Sequence, residues 1–154
     1  MRALFLLLVL VVAGCRKEEA HADPAKPKMH VEMAVAAPFA DVATQIREAR
    51  ADAKKRGRSL VVYIGATWCE PCQRFHKAAE HGELDKDFPT LSLLEYDLDT
   101  DGARLAVAGY APKYIPYFGA PAEDGRASPR AFEGSVQGNG AVGNITPRLK
   151  SLMD

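Results

Sequence analysis

Two cysteines separated by two residues, in Trp68-Cys69-Glu70-Pro71-Cys72, are the residues of this chain best suited to chemistry. Three positions apart on the first turn of a helix, their sulfurs are near neighbours and can close a disulfide around a very short loop. A cysteine at a helix start faces the unpaired N–H groups of the first turn and the positive end of the helix dipole, which favours its thiolate. Lowering a thiol pKa from about 8.5 to about 7 needs roughly 2 kcal/mol, which a helix terminus and one or two hydrogen bonds supply. Pro71 fits such a turn because an N–H there has no helical partner to lose. The expected chemistry is thiol–disulfide exchange. Cys69 attacks a disulfide as the more exposed and more acidic thiol, and Cys72, one turn further in, resolves the mixed disulfide. A static disulfide or half of a zinc site uses the same spacing, but no second Cys-x-x-Cys or histidine pair stands nearby to complete a tetrahedron. His76 and His81 read as surface or cap residues.

Such a dithiol needs a strand that ends at Cys69 and a helix that starts there. Leu60 to Ala66 is a short apolar, β-branched run without alternation, the pattern of a central strand covered on both faces. Glu70 to His81 follows as the helix, with Gly82 as its cap. Ahead of the strand, Phe39, Val42, Ala43, Ile46 and Ala49 share one helical face, and Lys54, Lys55, Arg56 and Gly57 end that helix. Beyond the dithiol come a strand from Leu91 to Leu98, a short helix from Asp101 to Gly109 and a strand from Ile115 to Gly119. Arg130 to Glu133 reads as the hairpin partner of that strand, across a loop containing Asp124-Gly125. Thr146-Pro147 supplies a capping residue and a first-turn proline to a last helix bearing Leu149, Leu152 and Met153. Helices alternating with strands, then a terminal hairpin, imply an α/β fold with a central mixed sheet flanked by helices on both faces.

The chain of 154 residues has room for one domain, predicted over 38–154. Twenty basic residues balance twenty acidic ones, so no strong field favours nucleic acid, and none is expected as a partner. Residues 1–14 have the pattern of a signal peptide: Arg2, then an apolar run from Ala3 to Ala13. That run is shorter than the roughly 18 residues of a membrane-spanning helix. It ends in Val12-Ala13-Gly14-Cys15, which resembles the lipobox of bacterial lipoproteins and implies acylation of Cys15. Cysteine arithmetic agrees, because acylation removes the odd thiol of three and leaves the pair Cys69 and Cys72. Residues 15–37, charged and alanine-rich with Pro24 and Pro27, read as a flexible tether in which His21 and His30 are solvated.

The strand, the Trp-Cys-x-Pro-Cys motif, its helix and a later Ile115-Pro116, 44 positions after Cys72, together resemble thioredoxin. The resemblance covers roughly residues 39–154 and implies that Pro116 is a cis proline lying against the dithiol. It also implies that Trp68, Ile115 and Pro116 form the substrate face, Ile115 offering backbone groups to an extended substrate. The tetrapeptide with Glu70 and Pro71 is similar to that of membrane-tethered thioredoxins serving cytochrome c maturation, although those usually carry an insert before the cis proline. Thioredoxins keep a buried aspartate six residues before the first cysteine; here that position is Tyr63. Glu95 stands where the family usually has a lysine, and it is the candidate proton acceptor for Cys72.

The function expected is a protein-disulfide oxidoreductase without cofactor or metal. It would act on protein substrates with disulfides, be recycled by a redox partner that the sequence does not name, and be held by lipid on Cys15 to the periplasmic face of a bacterial membrane, the outer one by preference. Two other classes use the same residues: a thioredoxin-fold copper-binding module, for which Met29 and Met33 are the only remotely suitable methionines, and a redox-inactive lipoprotein adaptor. Glu70 beside Cys69 opposes the thiolate, and Pro71 and Ile115 match reducing members of the family, so a reductant is expected.

Overall fold

A computed structural model describes residues 30–153. The expected leader, Cys15, His21 and Met29 lie outside those residues.

Five strands form one sheet in the order β1 (Glu32–Val35), β3 (Leu91–Asp97), β2 (Ser59–Gly65), β4 (Tyr117–Gly119) and β5 (Ala131–Glu133). β1, β3 and β2 run parallel, whereas β4 and β5 are antiparallel to their neighbours. The mixed sheet of the sequence reading is therefore present. Alternation along the central strands divides the core. Val61 and Tyr63 of β2, Leu91 and Leu93 of β3 and Phe118 of β4 face α2 (Glu70–Glu80) and α4 (Ala141–Met153). Val62, Ile64, Leu94, Tyr96 and Tyr117 face α1 (Val42–Lys55) and α3 (Leu98–Val107). A strand covered on both faces has no polar alternation, which is why β2 is a continuous apolar run.

Several boundaries differ from the sequence reading, each for a local reason. The stretch expected as tether contains β1, which pairs with β3 from Glu32↔Ser92 to Val35↔Glu95 and buries Val31. Four residues are too few to show a strand period, and their partner lies far along the chain. His30 is not simply solvated, since its ring lies 2.8 Å from the Asp85 carboxylate. Phe39 does not join the helical face: it stands outside α1, 99 % exposed, with a positive φ of 64°. Asp41 caps the helix instead, accepting the Thr44 N–H at 2.8 Å. Asp97 likewise starts α3 at Leu98, ahead of Asp101, by accepting the N–H groups of Asp99 and Thr100. Thr146-Pro147 is not a helix start. α4 begins at Ala141, and the Thr146 hydroxyl bonds back to the Val142 carbonyl at 2.8 Å with Pro147 inside the helix.

Candidate active site

β2 delivers the chain to the dithiol, and α2 begins on it. Cys69 is the N-cap of α2, in extended conformation, with the N–H of Cys72 directed to its sulfur at 3.3 Å. That contact and the helix N-terminus favour negative charge on Cys69. Pro71 sits in the first turn, where no N–H is required. The two cysteines form a disulfide. In this oxidised form both residues are buried, Cys69 4 % exposed and Cys72 3 %, whereas the expected difference in exposure concerns the reduced thiols.

Around the pair, Trp68 is 64 % exposed and its indole N–H donates to Asp99 at 2.8 Å. The Ile115–Pro116 bond is cis, as the resemblance to thioredoxin implies. Pro116 is buried, and Ile115 packs against the core cluster that contains Cys69 and Cys72. The loop before Pro116 is pinned by Glu133, whose carboxylate accepts the Lys113 N–H at 2.8 Å, and the Gly134 N–H donates to the Pro116 carbonyl at 2.9 Å. β4 starts at Tyr117, two residues later than expected, directly after a proline that has no N–H to give to the ladder.

Glu70 does not simply add a negative charge beside Cys69. It pairs with Arg74 and accepts the Gly138 N–H at 3.1 Å, and the Arg74 hydrogen bond holds its carboxyl below the usual range.

Behind Cys72 lies a cavity of about 420 Å³ whose walls include Tyr63, Gly65, Cys72, His76, Lys77 and Glu95. The structure thus brings Glu95 to the space that Cys72 lines. It also brings His76, which the sequence reading took for a surface residue. The His76 Nε2 lies 2.7 Å from Glu95 Oε1, and this hydrogen bond raises the imidazole pKa above its ordinary value. The sequence did carry a signal for it, since His76 follows Cys72 by four positions and so shares its helix face. Burial, reinforced by the Glu95 charge, pushes the Tyr63 hydroxyl well above its ordinary pKa. Among the described residues, no group of three or more His, Cys, Asp or Glu side chains is arranged to hold a metal ion, and no helix is long and apolar enough to cross a membrane.

A family model described as thioredoxin-like matches residues 41–117, half of the chain. The chain belongs to the thioredoxin-like family. A search of curated proteins finds no match. Among solved structures, this thioredoxin-like chain is similar to a mutant thioredoxin from Halobacterium salinarum, at 17 % identity over 84 % of this chain and 91 % of that one, with a TM-score of 0.50. It is also similar to oxidised thioredoxin O1 from Arabidopsis thaliana, at 17 % identity over 81 % of this chain and 99 % of that one, TM-score 0.49. Thioredoxin from Fasciola hepatica matches at 25 % identity over 68 % of this chain and 86 % of that one, TM-score 0.44. At 17 % identity the first of these likenesses concerns the fold alone.

Proposed function

We propose that this protein is a thiol–disulfide oxidoreductase that reduces disulfides of protein substrates outside the cytoplasm, held to a membrane by lipid on Cys15. The observation that carries the reading is the position of Cys69, which caps α2 with Cys72 in disulfide contact one turn on. In the reduced protein the Cys69 thiolate attacks a substrate disulfide, forming a mixed disulfide and expelling one substrate thiolate. Cys72 then gives up its proton and attacks the Cys69 sulfur, expelling the second substrate thiolate. The protein leaves oxidised and the substrate disulfide becomes two thiols. Glu95, in the cavity that Cys72 lines, is the candidate acceptor of that proton. Trp68, Ile115 and Pro116 serve as the face on which an extended substrate rests. A separate redox partner returns the disulfide to the dithiol.

Reduction of insulin by dithiothreitol, followed by turbidity, tests the activity: the wild type accelerates it and Cys69→Ser does not. Equal rates with both proteins would remove the oxidoreductase reading, and copper titration of the reduced protein would then separate a metal-binding module from an inactive adaptor. Export and anchoring rest on the leader and on Cys15. A fatty-acid analogue is expected to label the wild type in a bacterial host, and label persisting in Cys15→Ala would remove the anchor.

A further inference from the structure

The cavity behind Cys72 also holds His76, hydrogen-bonded to Glu95 at 2.7 Å, which the two exchange steps leave without a role. Tyr63 and Glu95 are Cα partners in the parallel register of β2 and β3. Their side chains therefore leave the same face of the sheet, the face that α2 covers. Cys72 and His76 lie four positions apart on α2 and so share one helix face. Sheet face and helix face meet in the cavity of about 420 Å³. One wall is close: a point at the Cβ position of Gly65 is 2.7 Å from the Tyr63 hydroxyl oxygen and 3.5 Å from the Cys72 Cβ.

From this geometry we propose that His76 and Glu95 act together as the acceptor of the Cys72 proton, and that the imidazole carries the proton on to solvent. The inference rests on the oxidoreductase reading and names the route by which its second step is served. Cys72 is 3 % exposed and has no direct exit for its proton. Glu95 is 21 % exposed in its side chain and His76 32 %, with Glu80 3.6 Å from the other ring nitrogen and 63 % exposed. The series leads from a buried sulfur to an open carboxylate. A cavity of this size, with Glu95, His76 and Lys77 in its walls, has room for water between Cys72 and Glu95.

The proton balance is simple. As the Cys72 sulfur attacks Cys69, its proton passes to the Glu95–His76 pair, a new S–S bond forms, and the bond from Cys69 to the substrate breaks with its electron pair going to the substrate sulfur. The pair later loses the proton to solvent through the exposed ring edge. His76 is a relay residue, since it acts on Cys72 through Glu95 and the cavity. The titratable and charged groups around it are Glu95 and Asp97 from β3, Tyr63 from β2, Glu80 and Lys77 from α2, and His30 ahead of β1. Of these, Glu95 lies 2.7 Å from the imidazole and Glu80 3.6 Å. Glu95→Gln keeps an oxygen for that hydrogen bond while removing the charge, and His76→Asn keeps a polar partner for Glu95 while removing the titration.

The test separates the two chemical steps. Reduced protein is mixed with excess glutathione disulfide, and the lifetime of the mixed disulfide is read by acid quench and mass spectrometry between about pH 5.5 and 9, spanning the ordinary values of imidazole and thiol. Loss of a positioned acid or base typically costs a hundredfold or more, so His76→Asn and Glu95→Gln are each expected to lengthen the lifetime at least about tenfold at neutral pH. Both are also expected to abolish the inflection that the wild type shows in the imidazole range. Alkylation of Cys69 by iodoacetamide should stay within about twofold of wild type, because that step does not use the pair. Lifetimes and pH profiles equal to wild type in both variants would overturn the relay, as would a matching loss in Cys69 alkylation. A wild type that forms no mixed disulfide would remove the oxidoreductase reading, and the relay with it. Should either variant fail to fold, the His76 ring protons of the wild type are titrated by NMR in the reduced and oxidised forms. A changed midpoint is expected, because only reduced Cys72 has a proton to share, and identical curves would overturn the proposal.

Discussion

The indole N–H of Trp68 donates to the Asp99 carboxylate at 2.8 Å, tying the residue before the dithiol to the first turn of α3. An aromatic ring left 64 % exposed is thereby held in one place. Asp99→Ala frees it. A released ring must be ordered again at each encounter, at a cost of order 0.5–1.5 kcal/mol for an interfacial side chain, so kcat/KM for insulin reduction should fall by a factor of about two to ten. Thermal stability and the alkylation rate of Cys69 should hardly change. A variant with full activity would mean that the Trp68 ring position does not matter to substrate.

Gly65 ends β2 against the ring of Tyr63, and any side chain there enters space already filled. The Cβ of an alanine would stand 2.7 Å from the Tyr63 hydroxyl, a distance that requires the buried ring to move. Gly65→Ala is expected to cost about 1–3 kcal/mol in urea unfolding, the usual range for overpacking. Tyr63→Phe removes the offending oxygen, so the double variant should recover much of the loss. Additive losses would place the strain elsewhere.

His76 makes stability depend on pH in a stated direction. Its hydrogen bond to Glu95 raises the folded-state pKa above the ordinary value of 6.5. A base with a raised folded pKa stabilises the fold fully below its unfolded pKa, and that contribution is lost as pH rises through the folded value. The midpoint of thermal unfolding should therefore decline from about pH 6 to about pH 8 more in wild type than in His76→Asn, across the range where an unfolded imidazole gives up its proton. Parallel curves would mean that the 2.7 Å contact does not favour the imidazolium.

On the proposed function the dithiol is a reductant. The helix start and the Cys72 N–H favour the Cys69 thiolate, but the residues between the cysteines bring no cation to it, and Arg74 is committed to Glu70. Heavy thiolate stabilisation is what makes an oxidant of this kind of dithiol. Equilibration with glutathione should give a potential nearer about −270 mV than about −120 mV. A value above about −180 mV would make the protein an oxidase or isomerase.

The dithiol, its helix and the central strand were legible in the sequence because each is announced by local chemistry, and the cis proline because the resemblance to thioredoxin implied it. Cys69 and Pro71 demand a helix start, Leu60 to Ala66 a doubly covered strand, and Ile115-Pro116 repeats a family pattern. β1 was not legible, because its four residues gain order only from β3 and so carry no period of their own. Nor was the role of Glu70 clear: its charge could be read, but Arg74 and the Gly138 N–H that absorb it could not. His76 was misread for a related reason. Its distance from Cys72 along the helix was visible, whereas the register that sets Glu95 opposite Tyr63, and hence beneath His76, exists only once β2 and β3 pair.

The lengths of the strands bear on how the protein treats other chains. The seven-residue strands β2 and β3 are interior, while the two edges are β1, of four residues, and β5, of three. Pro129 stands just ahead of β5, and Glu133 at its end is occupied with the loop before the cis proline. Edges this short, with charge and proline close by, give a foreign strand little backbone to pair with. A reductant that meets partly unfolded polypeptides would otherwise risk being extended by them into a mixed sheet. On the proposed function, each encounter would be confined to the exposed rim around Trp68 and would end when the disulfide had changed hands.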